Sequence, residues 1–148
     1  MKSKQSDDTK PTKGTRDGLL QADVIALLVK TYPNVRTLRW RDETFDAFKD
    51  SEEVEHVRDD FRSCLNDMKL IPDAFAADSE AMRLDFFEVE ITSPMSRTKM
   101  QTYAEFLTVL DYYGIAFSVF TINQHGHINE VELIHHYVNL MKDRHGIA

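Results

Sequence analysis

Residues Leu84–Thr92 read LDFFEVEIT. In an extended chain Leu84, Phe86, Glu88 and Glu90 share one face, and Phe87, Val89 and Ile91 share the other. Both faces are mostly apolar, which is the pattern of a central strand covered on two sides. Two carboxylates on one partly buried face repel each other and lose hydration. Both costs fall if a divalent cation lies between them.

The flanking residues place that strand in a fold. Upstream, IPDAFAAD followed by Ser79 and Glu80 reads as a first strand and a turn, so Ile71–Ile91 forms a β-hairpin that stops at Ser93 and Pro94. Downstream, Ser96 can cap a helix whose apolar stripe is Met100, Tyr103, Ala104, Leu107 and Leu110 and whose stop is Gly114. IAFSVFTIN is then a strand, QHGH a turn and HINEVEL the start of a short strand. Val131, Ile134, His135, Val138 and Met141 predict a closing helix.

Before the hairpin, DGLLQADVIALLVKTY has Leu19, Leu20, Ile25, Leu28 and Val29 near a 3.6-residue period and Pro33 just beyond. VRTLRWRDE alternates as a short strand does, and its arginines with Trp40 suit phosphate contact and base stacking, though an exposed edge with one anchoring Trp reads as well. Phe45, Phe48, Val54, Val57, Phe61, Leu65 and Met68 predict one helix with a break near Asp50 and Ser51, where Ser51 can cap a second piece. The expected class is α/β (α+β): a central mixed sheet of about four strands flanked by helices. Residues 1–18, polar and without apolar periodicity, are expected to be a flexible tail, and 19–148 a single domain.

Composition narrows the function. The 148 residues are 42% hydrophobic, enough for one core. There is no apolar run of membrane-spanning length and no apolar segment after the first lysines, so a cytoplasmic protein with no membrane partner is expected. The single cysteine, Cys64, lies among Phe61, Leu65 and Met68 at helical spacing and reads as a small buried hydrophobe. A net charge of −7 opposes coating of nucleic acid by bulk electrostatics but leaves local basic contacts open. His125 and His127 flank Gly126 as a tight turn would have them. With His135 and His136 they make only a weak transition-metal pattern.

Asp73 after Pro72 at the start of one strand, Glu88-Val89-Glu90 on its partner, and the αβ unit that follows resemble the PD-(D/E)XK nuclease superfamily over about Ile71–Asn123. The resemblance implies a restriction-endonuclease-like core and metal-dependent hydrolysis of phosphodiester bonds in nucleic acid. It implies Mg²⁺ or Mn²⁺ on Asp73 and Glu88 with the Val89 carbonyl, and Glu90 holding the metal or its water. Glu90 stands where the family has its Lys. Lys99, near the start of the next helix, is the residue in this chain that could supply that charge. Glu53 or Glu55 would supplement the metal. Arg36, Arg39, Trp40 and Arg41 would grip the substrate, and Gln101 resembles a helix glutamine of one branch of the superfamily, although Glu105 stands where that branch has tyrosine.

Each residue also has a plainer reading. Asp73 can open a strand after a turn, Glu88 and Glu90 can pair with Arg83 or Arg97, and Lys99 can face solvent. The alternative function is therefore a non-catalytic acidic interaction or inhibitor protein on a nuclease-like core, with a basic protein as partner. A homodimer is left open.

Overall fold

The chain folds around the strand that contains Glu88. The computed structural model describes residues 20–91 and 93–144, and the expected tail at 1–18 lies outside them. The described strands are β1 (Ala74–Asp78), β2 (Arg83–Glu90), β3 (Ala116–Asn123) and β4 (Ile128–Glu130). They form one sheet in the order β1-β2-β3-β4. The β1–β2 and β3–β4 pairs are antiparallel hairpins, and β2–β3 is parallel. A parallel pair needs a long crossover, and the helix α4 (Arg97–Tyr112) supplies it. The remaining described helices are α1 (Gln21–Thr31), α2 (Trp40–Phe48), α3 (Arg58–Asp67) and α5 (Leu133–Arg144), with a 3-10 turn at Glu55–Val57. The fold is thus α+β, a four-strand mixed sheet flanked by helices, as the periodicities predict.

The two faces of β2 enter two cores. Leu84 and Phe86 pack with Tyr103, Ala104, Phe106, Leu107 and Leu110 of α4. Phe87 packs on the opposite side with Ala74, Ile122 and Val24, Leu28 of α1. Ser96 caps α4 by accepting from the Lys99 N–H at 3.1 Å, and Gly114 ends it at φ +75°. In the β1–β2 turn, Asp78 Oδ1 accepts from the Glu80 and Ala81 N–H groups, both at 3.1 Å, so the turn occupies Ser79–Met82. In the β3–β4 turn, Asn123 Oδ1 accepts from the N–H of His125 at 2.9 Å and of His127 at 3.0 Å, and Gly126 takes φ +82°. The turn chemistry accounts for that pair of histidines, and His135 is accounted for by stacking on Phe117 with ring centroids 5.0 Å apart.

Two expectations change. VRTLRWRDE is not a strand beyond one bridge, in which Arg36 and Phe75 exchange N–H···O bonds of 2.8 and 2.9 Å. Trp40 opens α2 instead, because burial at Trp40, Thr44 and Phe48 follows helical spacing and fixes that face inward. The helix predicted from Phe45 to Met68 is broken as expected, but Ser51 does not cap the second piece. The Ser51 carbonyl accepts from Val54 and Glu55, its hydroxyl has no partner, and Val57 occupies the N-cap of α3. Among the described residues no helix is long and apolar enough to cross a membrane.

Candidate active site

The β-hairpin brings Asp73 and Glu88 together. Ala74 lies opposite Phe87, so the register carried one step further sets Asp73 against Glu88. Asp73 is held in place by the chain itself. Its Oδ2 accepts from the Val89 N–H at 2.8 Å, and its Oδ1 accepts from Gln21 Nε2 of α1 at 3.3 Å.

Glu88 is the buried member of the pair, 4% exposed on the face toward α4. Lys99 Nζ donates to its Oε1 at 2.7 Å, and the Tyr103 hydroxyl donates to its Oε2. Lys99 and Tyr103 are four residues apart on α4 and therefore project from the same side of the helix. Both carboxylate oxygens have a donor, and the ammonium offsets the charge. Burial nonetheless raises the Glu88 pKa above its ordinary value. The Lys99 and Tyr103 hydrogen bonds pull it back, and the neighbouring Asp73 charge pushes it further up. Tyr103 is itself driven well above its ordinary range, first by burial and then by the adjacent Glu88 charge.

Glu90 shares the Glu88 face but serves the backbone. Its Oε2 accepts from the Met95 N–H at 2.5 Å, which anchors the segment leading into α4. Val89 meets Asp73 through its N–H. Among the described residues no group of three His, Cys, Asp or Glu side chains is gathered for a metal. The two adjacent carboxylates still suit a hard divalent ion of the Mg²⁺ type, which keeps several waters and takes one or two protein carboxylates plus substrate phosphate.

The other expected residues are placed elsewhere. Glu53 packs over Gly114, beyond the C-terminal end of α4, whereas Lys99 is in its first turn. Glu55 is exposed in the 3-10 turn. Trp40 is 4% exposed and edge-on to Phe86 and Phe106, at 5.8 and 5.6 Å, so its ring is part of the core. Arg41 donates to the Leu65 carbonyl at 3.0 Å and to the Met68 carbonyl, tying down the C-terminal end of α3. Arg36 and Arg39 are exposed. Arg36 donates to the Pro33 carbonyl at 2.7 Å, and Arg39 pairs with Asp42 at 3.2 Å. Gln101 is exposed on α4, two residues after Lys99.

Sequence reading missed Tyr103 and Gln21 as partners of the carboxylates. Tyr103 counted only as part of an apolar stripe, and the available signal was its spacing of four from Lys99 on a capped helix. Gln21 had no signal, since its contact depends on where α1 docks. Compared with protein-family models, curated proteins and solved structures, the chain gives no match.

Proposed function

We propose that the chain is a metal-dependent nuclease of the PD-(D/E)XK kind, hydrolysing phosphodiester bonds in nucleic acid. The observation that carries this reading is the juxtaposition of Asp73 and Glu88 on neighbouring strands, with Lys99 reaching Glu88 from the following helix at 2.7 Å. From the hairpin onward the element order supports it too: an antiparallel hairpin, a crossover helix and a parallel strand, with the earlier helices and the Arg36 bridge preceding them.

In this reading Asp73 and Glu88 would hold Mg²⁺ or Mn²⁺, and such an ion would supply Lewis-acid polarisation of a phosphoryl oxygen and a site for the attacking water. Lys99, whose side chain is 38% exposed, provides the positive charge that the strand lacks at Glu90 and faces developing phosphate charge. Tyr103 keeps the Glu88 carboxylate oriented. Glu90, by binding the Met95 N–H, fixes the entry to α4 and hence the position of Lys99.

A second reading, a non-catalytic acidic interaction protein with a basic protein partner, draws on a specific observation. Both Glu88 oxygens are already satisfied within the chain, and the net charge is −7. The test is cleavage of single- and double-stranded DNA and RNA in Mg²⁺ or Mn²⁺, with Asp73→Asn and Glu88→Gln alongside and folding checked by circular dichroism. Metal-dependent products that disappear in both folded variants are expected. An inert, folded wild-type protein overturns the nuclease reading in favour of the second.

A further inference from the structure

Helices α3 and α4 leave a groove between them that nothing described in the chain fills. Its volume is about 750 Å³. The α3 wall is Asp60, Ser63, Cys64 and Asp67. The α4 wall is Thr102, Glu105, Phe106 and Val109. Each set has the spacing i, i+3, i+4, i+7, so each helix turns one continuous stripe toward the gap. Two such stripes bordering one open gap form a seat of the kind into which a third helix packs, ridge into groove.

The chemistry of the lining specifies that helix. The floor is apolar, with Met68 and Phe106 buried and Val109 40% exposed. Among the described lining residues the carboxylates of Asp60, Asp67 and Glu105 stand against one cation, Lys69. A phosphate backbone is repelled there, and a lysine- or arginine-bearing helix is attracted. The chain's own first nineteen residues do not suit the seat, since they have no apolar stripe and contain Pro11 and Gly14. We propose that the α3–α4 groove is a docking site for a basic amphipathic helix of a partner protein. Apolar residues at i, i+3, i+4 and i+7 enter the floor, and flanking Lys or Arg meet Asp60, Asp67 and Glu105. The proposal stands whether or not the Asp73–Glu88 centre cleaves nucleic acid.

The test uses a fluorescently labelled helical peptide built from Leu and Lys at this spacing, titrated with the full chain by fluorescence anisotropy. The same peptide with Glu in place of every Lys is the comparison. Binding of the Lys peptide is expected, weakened at least tenfold by Asp67→Lys with Glu105→Lys and by raising the salt, with no binding of the Glu peptide. The same charge change at two exposed positions away from the groove, Asp23→Lys with Glu132→Lys, should alter the affinity by less than about twofold. Three results overturn the proposal. The first is equal weakening by both pairs, which assigns the attraction to net charge. The second is no Lys-peptide binding by the folded protein. The third is self-association that the groove reversals abolish, which makes a second copy the occupant. Thermal melts of each variant separate loss of binding from loss of fold.

Discussion

Replacing Tyr103 with Phe isolates one hydrogen bond to Glu88. The aromatic ring can stay where it is, with its centroid 5.5 Å from that of Phe86, and only the hydroxyl is lost. Glu88 Oε2 then loses its side-chain donor at a residue that is 4% exposed, while Lys99 still holds Oε1. Leaving a buried charged acceptor one donor short costs about 2 kcal/mol. For a domain of this size that is roughly 6–8 °C in Tm. The effect depends on pH with a definite sign. Burial already raises the folded-state pKa of Glu88 above its ordinary 4.5, so between 4.5 and the folded value the native state binds the proton more strongly than the unfolded chain. Stability from this group therefore falls as pH rises through that window. Loss of the Tyr103 donor raises the folded value further, so the variant's deficit is largest at pH 7–8 and shrinks on acidification toward 4.5. Thermal and urea unfolding in EDTA from pH 8 down to pH 5 measures this, and the Glu88→Gln background removes the pH dependence in a double-mutant cycle. A deficit equal at all pH values, or none at pH 8, would refute the assignment of the Tyr103 hydroxyl to the Glu88 charge.

Trp40→Ala is expected to cost about 3–5 kcal/mol by denaturant unfolding, while Arg36→Ala and Arg39→Ala stay within about 0.5 kcal/mol; a mild Trp40 effect contradicts its core role. Gly126→Ala forces a side chain onto φ +82° and places Cβ 3.2 Å from Leu27 Cδ2. A loss of about 1–2 kcal/mol is expected from the backbone term, and an unchanged Tm counts against that turn geometry. Burial pushes the Cys64 thiol up to about 11 from its ordinary 9.0. The thiolate fraction at pH 8 is then about 100-fold lower than for an ordinary thiol, so iodoacetamide should modify Cys64 correspondingly slowly until denaturant is added. Fast modification of the folded protein contradicts that raised pKa at the half-buried Cys64.

What the sequence disclosed and what it withheld divide along the range of the interactions. The parity of β2, the Ser96 cap, the Gly114 stop and the Asn123–His127 turn are set within a few residues, and the spacing and residue type state them directly. The adjacency of Asp73 and Glu88 was legible for the same reason, because a hairpin fixes its own register. Trp40 was not. Alternation in VRTLRW competed with a helical 40/44/48 stripe whose middle member is the polar Thr44, buried with no partner for its hydroxyl. Arg41 read as a phosphate contact because nothing nearby occupies it. Its acceptors are carbonyls 24 and 27 residues away, and a backbone oxygen at the end of another helix leaves no mark in side-chain identity.

The two glutamates of β2 share a face, yet the fold neutralises them by different means. Glu88 points at the covering helix and is matched by an ammonium and a hydroxyl projecting four residues apart from its first turns. Glu90 is matched by a single backbone N–H just before that helix begins. Both matches depend on where α4 starts. Ser96 fixes that start by holding the Lys99 N–H, the residue whose side chain then pairs with Glu88. One cap, one loop anchor and one ion pair thus reinforce each other across residues 88–103. This coupling lets a central strand keep a carboxylate at Glu88, where burial first and then the neighbouring Asp73 charge push it toward its neutral form. Among the described residues Asp73 Oδ1 has a long contact to Gln21, at 3.3 Å, and is less tightly held than the Glu88 oxygens. In the proposed nuclease reading a hard cation would meet that oxygen at lower cost than either oxygen of Glu88, where it would have to compete with Lys99 or Tyr103.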